Sequence, residues 1–151
     1  MRLAPDVERV HNTRDLFQIN VVSLYQNPQN NSQWGNWPSK YMQNLIDREG
    51  PIKNYPTVYH GLFQTIPIKA MKKHPDIDTR HAPGAFVTTP QHENQLYAVC
   101  GQPDSLPGGQ CTVDVYNTKS HFEYEMYFPG NEVDRTIEIV GAIDKLINSW
   151  K

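Results

Sequence analysis

The stretch Pro56-Thr57-Val58-Tyr59-His60-Gly61-Leu62-Phe63 sets the reading of this chain. β-Branched and aromatic residues run up to a glycine, the pattern of a short strand over 56–60 that ends on His60. A glycine directly after that end leaves room for a ligand beside the imidazole. His60 is therefore a candidate for contact with a bound molecule; the alternative is a histidine that only satisfies local hydrogen bonds.

The 151 residues fit one domain with a core of its own, divided into a helical and loop part over 1–55 and a core over 56–151. With 20% charged residues and twelve prolines, the composition is that of a soluble, loop-rich globular chain and not a disordered one. A formal charge of −2 gives no global electrostatic case for nucleic acid. Charge is unevenly spread, however. Lys69, Lys72, Lys73 and Arg80 gather within 66–83, and Glu123, Glu125, Glu132, Asp134 and Glu138 crowd 121–138. No apolar run reaches membrane-spanning length, and the first residues lack the apolar segment of a secretory signal peptide. Cys100 and Cys111 flank a Pro/Gly-rich loop and read equally as a disulfide or as two buried thiols. Neither they nor the six histidines show zinc-ligand spacing.

Upstream of the opening stretch, 16–22 reads as a strand. The amide-rich segment 26–37, with Trp34 and Trp37, reads as a surface loop able to face a substrate or partner. Ser39 caps a helix through Glu49 on which Tyr41, Met42, Leu45 and Ile46 recur at helical spacing, and Gly50-Pro51 stops it. Downstream, Thr65 caps a short helix carrying Ile68, Ala70 and Met71. Residues 85–89 read as a strand running into Pro90, with Thr89 as N-cap of a helix whose buried stripe is Leu96, Tyr97 and Cys100. Period-two alternation governs Val113 and Val115, then Phe122 to Phe128. Residues 132–137 and 139–140 read as further strand, and 143–150 as a closing helix. Helices in the first half and strands in the second predict an α+β fold.

Three features thus stand in order: Tyr59-His60-Gly61, then Ala85-Phe86-Val87-Thr88-Thr89 followed by Tyr97, then an acidic segment beginning Asn131-Glu132-Val133. This order resembles the His-Tyr-Glu branch of the ADP-ribosyltransferases, which includes the diphtheria-toxin-like enzymes. Phe128-Pro129-Gly130-Asn131 and Ile139-Val140-Gly141 are similar to segments of the small rifampin ADP-ribosyltransferases. Two positions depart from the family pattern. Leu62 stands where a threonine is usual and Val87 where a tyrosine is usual, which would make one pocket wall aliphatic.

The resemblance implies split antiparallel sheets with short helices around an NAD cleft, with NAD as co-substrate and no metal. It implies catalytic roles for Glu132, His60 and Tyr97, with Glu138 and Glu125 as alternative acids. Tyr59, His60, Gly61, Phe86, Val87, Thr88 and Tyr97 would line the NAD site. The chemistry gives such residues a reason to gather. Breaking the N-glycosidic bond of NAD builds positive charge on the ribose, which a carboxylate stabilises mostly in the transition state. An aromatic face offers the nicotinamide ring an offset stack.

The activity implied is that of a mono-ADP-ribosyltransferase toxin domain of a bacterial polymorphic toxin. It would modify a protein or structured RNA in the cytoplasm of a target cell after delivery, would be neutralised at home by a cognate immunity protein, and would need no membrane. The alternatives are an NAD glycohydrolase and a non-enzymatic immunity or binding module. A Cys100–Cys111 disulfide and the Trp-containing loop would support the last.

Overall fold

A computed structural model of the chain describes residues 20–26, 40–101 and 109–150. Along the chain these form β1 (Asn20–Gln26), α1 (Lys40–Glu49), β2 (Ile52–Pro56), β3 (Phe63–Pro67), α2 (Ile68–Lys73), β4 (Gly84–Val87), β5 (Asn94–Cys100), β6 (Gln110–Asn117) and β7 (Phe122–Pro129). A 3₁₀ turn (Gly130–Arg135) then leads into α3 (Thr136–Ser149). β2 to β7 form a continuous antiparallel meander, and β1 adds to the far side of β7, giving the order β1-β7-β6-β5-β4-β3-β2. The α+β class holds, and the described strands make one sheet.

Because side chains alternate across a strand, directly opposed residues share a face of the sheet. One such row is Gln64, Phe86, Ala98, Val113, Met126 and Val21. This face holds the main core, where Leu96, Val115, Tyr124 and Phe128 lie against Ile139, Val140, Ile143 and Ile147 of α3. Burying each aliphatic side chain contributes about 1.5–3 kcal/mol. α3 is also pinned at its far half, where Asp144 accepts a 2.6 Å hydrogen bond from the Asn94 amide. α1 lies on the sheet's second face and buries Met42 and Leu45. No described helix is long and apolar enough to cross a membrane.

Several sequence expectations change. The segment after Pro90 is not a helix: 94–100 is strand β5, and Pro90 sits in the turn before it. Leu96, Tyr97 and Cys100 fit a helical stripe, but Leu96, Ala98 and Cys100 enter the core together, which is period two. The Gln95 amide donates to the carbonyls of Thr89, Pro90 and His92, which fixes that turn without helical bonding. Conversely, 132–140 is not a strand. The 3₁₀ turn and α3 occupy it, since Thr136, Ile139, Val140, Ile143 and Ile147 are the helix's buried side.

The opening strand is also displaced. β2 spans 52–56, and 57–62 form the loop to β3, in which the Thr57 hydroxyl donates to the Leu62 carbonyl at 2.8 Å and accepts from the Tyr59 N–H at 3.1 Å. Thr65 belongs to β3, and the short helix begins after Pro67. Strands therefore occur in both halves of the chain. α1 matches the expected helix, whereas its Ser39 cap lies outside the described residues. The expected strand 16–22 is described from Asn20 and runs on to Gln26; that residue ends β1, and the rest of the 26–37 loop is outside the described residues. Cys100 and Cys111, directly opposed on β5 and β6, form a disulfide.

Candidate active site

The residues singled out in the sequence fall on the two opposite faces of the sheet. Tyr59 lies on the α3 side, its ring edge-on to Phe86 with centroids 5.7 Å apart. Its hydroxyl accepts a 3.0 Å hydrogen bond from the Ala82 N–H. Gly61 takes a left-handed φ of +74° and abuts Ile137 at the start of α3. His60, between them, is exposed. Phe86 is wholly inside the core, and the buried Thr88 hydroxyl donates to the Asn94 carbonyl at 2.8 Å. These contacts are structural: they tie the β2–β3 loop and the β4–β5 turn to the core.

Glu132 lies in the 3₁₀ turn, buried, with a carboxylate oxygen 3.3 Å from the Arg135 guanidinium. Arg135 also reaches the exposed Glu138 at 3.4 Å. Both carboxylates thus share one guanidinium at the entry to α3, an arrangement that stabilises the helix start.

Tyr97 is on the other face. It belongs to a register row that runs Phe63, Val87, Tyr97, Asp114, Glu125 and Ser23 across β3, β4, β5, β6, β7 and β1. Tyr41 of α1 stacks on Tyr97 with centroids 5.6 Å apart and planes 16° from parallel. The Tyr41 hydroxyl lies close enough to Asp114 to interact with it, and Asp114 stands directly opposite Glu125. Tyr127 donates to Glu125 at 3.0 Å. Two carboxyls this close repel when both are ionised, which favours the protonated form of one of them. Burial, followed by the Glu125 charge, pushes the Asp114 carboxyl up to about 7. Burial likewise raises the Tyr41 and Tyr97 phenols, and the bond to Glu125 raises that of Tyr127.

On this face the Phe63 end of the row borders a cavity of about 200 Å³ lined by Asn54, Phe63, Thr88, Thr89 and Pro90. That is room for a single ring and not for a whole dinucleotide. Beside it, Asn54 and Thr65 stand opposite each other on β2 and β3, and Asn54 Oδ1 and Thr65 Oγ1 are buried without hydrogen-bond partners.

The structure therefore joins Tyr97 and Val87 to the reserve acid Glu125, and it does not bring Tyr59, His60, Gly61 or Glu132 onto their face. Asp114 and Tyr41 are the partners that sequence reasoning missed. A signal for Asp114 exists: acids at alternate positions of two consecutive strands, joined by a short turn, become directly opposed when the hairpin closes. Among the described residues no three His, Cys, Asp or Glu side chains gather as a metal-ligand set. In comparisons with known proteins, no family model matches the chain, and no match emerges among curated proteins or solved structures.

Proposed function

We propose that this protein cleaves the N-glycosidic bond of NAD on the sheet face carrying Tyr97, Asp114 and Glu125, and passes ADP-ribose to water or to a macromolecular acceptor. The observation that carries the reading is the register row that sets an aromatic ring beside two directly opposed carboxyls. Like charges directly opposed on neighbouring strands destabilise a sheet, so their presence under a helix calls for a use.

In this reading the pair, held at one net negative charge, faces the cation that develops on the ribose. Tyr97 offers its ring to the nicotinamide. The glycosidic bond breaks with its electrons going to the nicotinamide nitrogen, which leaves neutral. An acceptor O–H forms the new C1′–O bond and gives its proton to the carboxylate pair. A carboxylate of the pair can take the proton of a small O–H nucleophile as a general base. That favours hydrolysis, or transfer to an accessible hydroxyl. The split-sheet cleft and the His60 and Glu132 roles implied by the family resemblance form no part of this reading. Action on a protein or RNA in a target cell would make the chain a toxin domain.

The decisive experiment measures nicotinamide release from NAD, with cell lysate supplied as acceptor. Wild type should turn NAD over, and Glu125→Gln and Asp114→Asn should each lose about 100-fold or more, a usual scale for removing one positioned acid or base. Activity that survives both substitutions and disappears in Glu132→Ala would return the catalytic role to Glu132. Absence of release by wild type would sink the enzyme reading. The Cys100–Cys111 disulfide would then favour the second reading, a non-enzymatic binding or immunity module built for an oxidising compartment.

A further inference from the structure

We propose that α1 is a pH-dependent cover over the Asp114–Glu125 pair, seated while Asp114 keeps its proton and loosened when it ionises opposite Glu125. The inference concerns the cover alone and stands whether or not the pair turns over a substrate. α1 reaches the acidic face through Tyr41, which lies flat on Tyr97 near Asp114, and it buries Met42 and Leu45. It leads into β2 through Gly50, whose φ of +88° and open surroundings make a hinge that no side chain obstructs.

The groups around the pair are predominantly acidic or neutral. From β7 come Glu123, two residues from Glu125, and Tyr127. From β5 comes Tyr97, and from α1 come Tyr41 and, through its effect on Tyr97, the exposed Arg48. A second negative charge on the pair would stand in a partly buried site, directly opposite the first and beside the acidic Glu123. The Tyr41 hydroxyl favours an ionised Asp114 and so opposes the effect, but burial is the larger influence. Lifting α1 hydrates both carboxylates and removes that burial. The covered state thus binds the proton more tightly than the uncovered one, and raising the pH drives the equilibrium towards the uncovered one.

Amide hydrogen exchange on the full chain tests this, with each rate normalised to the intrinsic chemical rate at the same pH. Between pH 5.5 and 8.5, protection of the 41–49 amides should fall by about tenfold or more, the scale expected for linkage to a single proton, while β5 and β6 amides stay better protected than those of α1 at every pH. In Asp114→Asn the same change should shrink to under about threefold, and Glu125→Gln supplies the same comparison should the first variant not fold. Constant α1 protection in the wild type would overturn the proposal. So would α1 amides as protected as those of β5 and β6 at every pH, which would mean exchange by global unfolding alone, or an undiminished change in the variant.

Discussion

Asp114 and Glu125 occupy directly opposed positions on β6 and β7, on the sheet face that carries Tyr97. The relationship fixes a pH dependence of stability. Asp114 holds its proton up to about pH 7 in the folded chain, whereas the unfolded chain gives it up near 3.8. Between those values the folded state binds more protons, so stability falls as pH rises through that window and levels off above it. With Asp114 partly exposed, the change is on the order of 1–2 kcal/mol. Urea denaturation between pH 4.5 and 8 should show it in wild type. Asp114→Asn should flatten the curve, apart from the smaller slope that Asp144, also raised by burial, adds in the same direction.

Glu132 should prove a structural acid. Its carboxylate is buried against Arg135, and replacing it with alanine leaves that guanidinium with less compensation at the entry to α3. Glu132→Ala should cost about 2 kcal/mol, read as a lower urea midpoint with an unchanged m-value. Nicotinamide release per folded molecule should stay within about twofold of wild type if the proposed acid pair carries the chemistry. A large drop in turnover with unchanged stability would reverse the assignment.

The Cys100–Cys111 bridge ties β5 to β6 across a loop closed by residues eleven apart in sequence. Closing a loop of that size contributes about 3 kcal/mol, mainly by restricting the unfolded chain. Replacing both cysteines with alanine should lower the melting temperature by several degrees, about 4 °C or more. Native thiol titration should find neither cysteine reactive before reduction. A quantitative thiol count in the native, unreduced protein would contradict the pairing.

How much of this was legible in the sequence depended on what kind of pattern each segment carried. α1 was legible because Tyr41, Met42, Leu45 and Ile46 follow a helical period between clear stop signals. β6 and β7 were legible because Val113, Val115, Tyr124, Met126 and Phe128 alternate cleanly with polar residues. β5 was not, since Leu96, Tyr97 and Cys100 satisfy helical spacing as well as strand alternation, and a preceding Pro90 tips the local reading towards a helix. The segment from Val133 to Val140 failed the opposite way: Ile137 and Ile139 alternate like a strand, yet Ile139, Val140, Ile143 and Ile147 form the side that α3 buries. The site was half legible. Tyr97 and Glu125 were named from the chain alone, but Asp114 became their neighbour only through hairpin register, which is a tertiary fact.

The loop that first drew notice carries the sharpest separation of structural from ligand-binding roles. Gly61 sits at φ +74°, and a Cβ there would come within 3.0 Å of Ile137 Cγ1. Gly61→Ala therefore combines left-handed strain of about 1 kcal/mol with pressure on the start of α3, for a total of about 1–3 kcal/mol. Removing Ile137 Cγ1 relieves only the second part, so in the Ile137→Ala background the cost of Gly61→Ala should be smaller by about 0.5–1 kcal/mol. His60 is exposed, in the loop between Tyr59, whose ring packs on Phe86, and Gly61. His60→Ala should thus leave stability within about 0.5 kcal/mol and leave nicotinamide release unchanged. A selective loss of turnover in His60→Ala, with the urea midpoint intact, would move the site to the opposite face and restore the histidine to the chemistry.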